Sequence, residues 1–173
     1  MSVQGRLVVY GDFNCPYSAL ASSRVDTLSA AGVDVDWRAV QHDVSMPQEG
    51  LPVEGELKAE LEREIEEVRG LLREGEAFGL PLPAVRPNTA QASRIYAANA
   101  DDEHRRVLFA WAWDQSPGME NEGEDADTAA RWQREWEATD KKMVPMLVLP
   151  DGYVSRGLGA LKRLADMVDD IRT

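Results

Sequence analysis

The residues best suited to chemistry lie in one run, Val9-Tyr10-Gly11-Asp12-Phe13-Asn14-Cys15-Pro16-Tyr17-Ser18, which holds the only cysteine of the chain. Arg6 to Tyr10 reads as a short apolar, β-branched strand closed by Gly11 and Asp12. Pro16 stands where a helix accepts proline, in its first turn. Cys15 therefore sits at the mouth of a helix that follows directly on a strand. Free amide N–H groups and the positive end of the helix dipole meet a sulfur there. That field favours thiolate, so the thiol pKa is expected to fall below its free value. Ser18, one turn on, can donate its hydroxyl to the thiolate. Cys15 is the candidate nucleophile and Ser18 its stabiliser. A lone cysteine is more often inert core filler, and the strand-turn-helix position is what lifts Cys15 above that base rate.

The remaining titratable candidates carry less. His42 follows the second predicted strand and could act as a base near neutral pH, but nothing in the local pattern brings it to Cys15, and it reads as a loop histidine. His104 lies among Asp102, Glu103, Arg105 and Arg106 and reads as solvated. No catalytic triad follows from these positions. One cysteine excludes an intrachain disulfide and cysteine-built zinc sites, so no metal is expected.

The elements that must position Cys15 follow from periodicity. Pro16 to about Ala31 is helical, with Tyr17, Leu20, Ala21, Val25 and Leu28 recurring, and Gly32 stops it. Val33 to Val40 alternates with the strand period of two. The first forty residues thus form a β-α-β unit. A loop with Pro47, Gly50 and Pro52 leads to a helix predicted from Glu54 to Glu76. Its stripe is Leu57, Leu61, Ile65, Val68 and Leu72, and its acidic stretch Glu60 to Glu67 reads as a solvated face rather than a site. Helices follow from Asn88-Thr89 to Ala98, from Asp102 to Gln115 and from Thr128 to Thr139, with Trp132 and Trp136 as packing anchors. Ser116 to Asp127 reads as the most flexible loop. The end returns to strands, Met143 to Leu149 and Tyr153 to Arg156, joined at Pro150-Asp151-Gly152, then an amphipathic helix carrying Leu158, Leu161, Leu164, Val168 and Ile171.

Composition narrows the function classes. The chain has 173 residues, 43% of them hydrophobic, and a formal net charge of -12. An acidic surface repels phosphate backbones and anionic lipid, so neither nucleic acid nor membrane is an expected partner. No leader is visible at Met1-Ser2-Val3, and no run approaches the roughly 18 apolar residues of a membrane span. With a single unpaired cysteine, these features point to a cytoplasmic location.

The ordered pieces Cys15-Pro16-Tyr17-Ser18, Pro87-Asn88-Thr89 with Ala92, and Val144-Pro145 entering a hairpin resemble the DsbA-like family. The likeness is to its FrnE-type branch and to the related 2-hydroxychromene-2-carboxylate isomerases and kappa-class glutathione transferases. The resemblance implies an α/β, thioredoxin-like fold (β-α-β … β-β-α) with an inserted all-helical subdomain. On that pattern residues 1–45 and 140–173 form the thioredoxin-like domain and 46–139 the insertion. Cys15 aligns with the first cysteine of the family's Cys-x-x-Cys, which is serine in the isomerases and transferases, and Ser18 aligns with the second. Pro145 takes the place of the cis-proline facing Cys15, with the Val144 backbone pairing with substrate. Phe13, Pro16, Tyr17 and Asn88 are the further substrate-binding candidates, Asn88 being equally a helix cap.

One sulfur cannot cycle between dithiol and intramolecular disulfide. The resemblance therefore implies monothiol exchange through a mixed disulfide at Cys15. Partners would be glutathione or protein thiols and disulfides, with glutathione as co-substrate and no tightly bound cofactor. The first alternative is glutathione-dependent isomerisation or transfer on a small aromatic substrate, with Phe13, Tyr17, Trp111 and Trp113 as pocket candidates. The second is a non-catalytic binding protein. A homodimer is compatible with each.

Overall fold

A computed structural model of the chain describes residues 4–119 and 122–173. The first strand, β1 (Leu7–Gly11), is followed by α1 (Pro16–Ala30) and β2 (Val35–Ala39). β1 and β2 pair in parallel, Leu7 opposite Val35 and Gly11 opposite Ala39. The β-α-β expectation holds, because the apolar run of β1 buries Leu7 and Val9 completely while α1 covers the sheet with Leu20, Ala21, Val25 and Leu28. Gly11 is required at the strand end, since a Cβ there would lie 2.4 Å from Cζ2 of the buried Trp37 ring.

The chain then leaves the sheet through β3 (Leu51–Pro52), α2 (Gly55–Gly70), β4 (Val85–Arg86), α3 (Ala90–Ala98), α4 (Asp102–Asp114) and α5 (Ala126–Glu137). It returns with β5 (Met146–Val148), β6 (Val154–Arg156) and α6 (Leu158–Arg172). The main sheet runs β2-β1-β5-β6, with β5 antiparallel to both neighbours. One hydrophobic cluster joins this sheet to the inserted helices, from Leu7 and Leu147 to Ile95, Leu108 and Trp132. Trp132 and Trp136 are buried packing residues, as their spacing suggested. Among the described residues no helix is long and apolar enough to cross a membrane.

Several boundaries differ from the sequence reading, β5 for one being Met146–Val148 rather than Met143 to Leu149. β3 and β4 form a small antiparallel ladder where periodicity showed only loop, and Gly50 (φ +82°) enters it where a Cβ would strike the Arg86 carbonyl. α2 ends at Gly70 rather than Glu76. Beyond it the Arg24 guanidinium takes the Leu71 carbonyl and both oxygens of Glu76, bonds that a continued helix would not offer. α5 starts two residues earlier than predicted, at Ala126, with Asp125 accepting from the Thr128 amide. Of the loop expected from Ser116 to Asp127, residues 120–121 lie outside the described residues, as do Met1 to Val3.

Two buried arginines tie these layers together. Arg24 of α1 donates to Glu76, Leu71 O and Leu161 O at 2.8–2.9 Å. Arg105 of α4 donates to Ser22 Oγ (2.9 Å), Asp102 Oδ1 (2.7 Å) and Asp26 Oδ1, and its guanidinium stands 5.5 Å from the Trp37 ring.

Candidate active site

The turn after β1 is built by its own backbone. Cys15 N donates to Asp12 O (3.1 Å), and Cys15 O accepts from Ala19 N (3.0 Å), the first helical bond of α1. Cys15 is extended (φ -104°, ψ 122°) and is the N-cap, with Pro16 opening the helix. Two outside groups pin the turn. Arg86 of β4 donates through Nε (3.2 Å) and Nη2 (3.0 Å) to Asn14 O, and Asn14 Nδ2 donates to Pro87 O (2.8 Å).

Cys15 is 6% exposed and forms part of the wall of a cavity of about 430 Å³. Tyr17, His42, Glu60, Glu64, Glu67, Arg86, Lys142, Met143, Val144, Gly157 and Leu158 complete that wall. The Val144–Pro145 peptide is cis, and the Pro145 carbonyl accepts from Gly157 N (2.8 Å). The helix mouth and the residue before the cis-proline thus share one cavity.

The ionisation of Cys15 corrects the sequence expectation. Burial pushes its thiol up to about 11. Hydrogen bonding from the Ser18 side chain and backbone opposes this, as does Arg86, while Asp12 adds to it. The half-charge of a helix terminus and one hydroxyl are outweighed by removal of the sulfur from water. Cys15 is therefore a neutral thiol at pH 7.

Ser18 is fully buried under the turn, where its Oγ accepts from Asp12 N (3.1 Å). Asp12 is 1% exposed, and its carboxylate accepts three hydrogen bonds. Oδ1 takes the Thr89 hydroxyl (2.6 Å), and Oδ2 takes the backbone N (2.9 Å) and ring Nδ1 (2.6 Å) of His42. Because the carboxylate is an acceptor, Nδ1 carries the proton of the neutral ring and Nε2 keeps a free lone pair.

The other predicted site residues divide. Tyr17 is on the cavity wall and donates its hydroxyl to Glu67 Oε1 (2.7 Å), with burial and that carboxylate raising its pKa. Pro16 and Pro145 are buried behind the wall. Phe13 is displaced from its expected role. It is fully enclosed in the core, edge-on to Phe109 of α4 (4.9 Å) and Tyr96 of α3 (6.0 Å). Trp113 is also core and donates Nε1 to Phe13 O (2.9 Å). Asn88 and Trp111 line a different cavity of about 670 Å³. Asn88 is engaged there by the fold itself, donating to Met46 O (2.9 Å) and accepting from Ala90 N (2.9 Å).

Two corrections concern residues set aside. His42 is not a remote loop histidine, since it shares the cavity with Cys15. The acidic face of α2 is not merely solvated, since Glu60, Glu64 and Glu67 stand on that wall, and burial raises the Glu64 pKa. Arg86 and Lys142 were missed as well. A signal for His42 did exist. Parallel β1 and β2 end at the same sheet edge, so the residues after each strand meet there.

Comparison with known proteins agrees with this fold. No curated protein matches the sequence. A probable DsbA oxidoreductase from Streptomyces coelicolor superposes with a TM-score of 0.68 at 14% identity, covering 96% of this chain and 89% of its own. A 2-hydroxychromene-2-carboxylate isomerase superposes with a TM-score of 0.61 at 17% identity, covering 97% of this chain and 96% of its own. At such identities the likeness is one of fold. The family model of the DSBA-like thioredoxin domain matches residues 6–139. With a sheet in this order and a cysteine at the start of its first helix, the chain belongs to the DSBA-like thioredoxin family.

Proposed function

We propose that the protein is a monothiol thiol–disulfide oxidoreductase that works through a mixed disulfide at Cys15. One observation carries the reading: the only sulfur among the cysteines lines the same cavity as Val144, the residue before the cis-proline. In the first step the Cys15 sulfur attacks a disulfide R–S–S–R′, a new Cys15–S–S–R bond forms, and R′–SH leaves. In the second, an external thiol R″–SH attacks the R-side sulfur, R–S–S–R″ forms, and the Cys15 thiol is released. Oxidising equivalents pass from one disulfide to another, and the protein needs no second cysteine. Glutathione suits both steps as disulfide and as resolving thiol.

The test is incubation with oxidised glutathione followed by intact-mass measurement. One glutathione adduct, absent in Cys15→Ser and released by added thiol, is the expected outcome. An unmodified protein at every pH overturns the proposal and favours a binding scaffold.

The neutral thiol favours a second reading. A protonated Cys15 can donate a hydrogen bond to the thiolate of a bound glutathione, which would then attack a small electrophile in the isomerase or transferase manner. Cys15→Ser preserves that donor. Retention of isomerase or transferase activity by this variant separates the second reading from the first.

A further inference from the structure

Cys15 carries an obstacle that its own helix does not remove. With the thiol held at about 11, roughly one molecule in ten thousand is thiolate at pH 7. Thiolate, not thiol, attacks a disulfide. A base beside the sulfur removes the obstacle by taking the proton as attack begins.

The Asp12–His42 pair has the arrangement of such a base. Asp12 is sealed from solvent and binds His42 twice, at the backbone N and at Nδ1. This fixes the ring and the tautomer and leaves Nε2 as the acceptor. The His42 side chain is 28% exposed and lines the Cys15 cavity. Thr89 holds the second Asp12 oxygen, so the orienting carboxylate is itself held. Resting on the exchange reading above, we propose that His42 is the base that accepts the Cys15 proton during disulfide exchange, with Asp12 as its positioning residue.

The proton passes from Sγ to Nε2 as the sulfur attacks. The disulfide bond of the substrate breaks, and the departing R′ sulfur takes the proton back from Nε2. Proton and electrons balance within that step, and the disulfide is the oxidant. The charged and titratable groups facing the pair are Tyr17 from α1, Glu60, Glu64 and Glu67 from α2, Arg86 from β4, Lys142, and Asp43 beside His42.

The test follows the rate of mixed-disulfide formation with neutral hydroxyethyl disulfide from pH 5 to 11, for wild type and His42→Gln. At pH 7 the variant is expected to react about a hundredfold more slowly. The difference should close as the pH nears 11 and the thiol ionises unaided. Superimposable profiles overturn the proposal. A measurement on the wild-type sequence guards against misfolding of the variant. Between pH 11 and pH 8 the wild-type rate should fall by less than tenfold per pH unit, and a full tenfold fall per unit, which attack by pre-ionised thiolate alone would give, overturns the proposal. Wild-type protein that forms no adduct at any pH removes the exchange reading and this one together. Reactive wild type matched by His42→Gln removes the proton transfer alone.

Discussion

Arg105 and Cys15 are nearly equally sealed from water, 2% and 6% exposed, yet their surroundings treat them in opposite ways. Around Arg105 every guanidinium nitrogen has an oxygen partner, from Ser22, Asp102 and Asp26, and an aromatic ring lies beside it. Arg24 is satisfied to the same degree. Around Cys15 the buried group is kept neutral, the nearby Asp12 carboxylate repels its anion, and Arg86 directs two of its donors to Asn14 O. A cavity opens in front of it. The arginine centres are closed networks that hold α1, α4, α6 and the segment after α2 in register. The cysteine centre is poised for a change of charge and is left room for a reactant.

The largest expected effect tests the closed side. Arg105→Met should destabilise by about 3–5 kcal/mol, because it strips the buried partner from Ser22, Asp26 and Asp102. Urea unfolding at unchanged m-value measures this, and a loss below about 1 kcal/mol breaks the contrast.

The second effect tests the open side by pH. The folded thiol stands at about 11 and the ordinary value is 9.0. A raised pKa contributes stability that is whole below pH 9 and is lost as the pH climbs through 11. The unfolded chain releases this proton first. Over that window the wild type should lose about 3 kcal/mol more than Cys15→Ser. Parallel stability curves for the two proteins would show that Cys15 is not desolvated.

The smallest effect sharpens the link between the two halves of the turn. Ser18→Ala leaves the Asp12 amide without its acceptor, at a cost of about 1–2 kcal/mol. It also removes the hydroxyl that favours thiolate, so the alkylation midpoint of Cys15 should move up rather than down.

Much of the scaffold was legible in the sequence. The period-two alternation of Val33 to Val40 and the helical recurrence of Leu20, Val25 and Leu28 placed β2 and α1. The Cys-Pro pair at a strand end placed the sulfur at a helix mouth. Arg105 was not legible, because it sits in a charged stretch, Asp102 to Arg106, whose composition is that of a solvated face. Its burial comes from Ser22 and Asp26 on α1, some eighty positions away in the chain. The carboxylates of α2 were misread for the same reason, since a pattern reports which residues share a face and not what stands opposite it.

From sequence alone came the order of the main-sheet strands and of the helices, the solitary cysteine and the exclusion of dithiol cycling, all of which depend on residue identity and short-range spacing. The tertiary structure alone decided the charge of that cysteine, the placing of His42 on the wall of its cavity and the closure of the arginine networks. The physical reason is that desolvation and Coulomb interaction act through space. They are set by atoms that meet only when β1, β2, α2 and β4 are brought to one edge of the sheet.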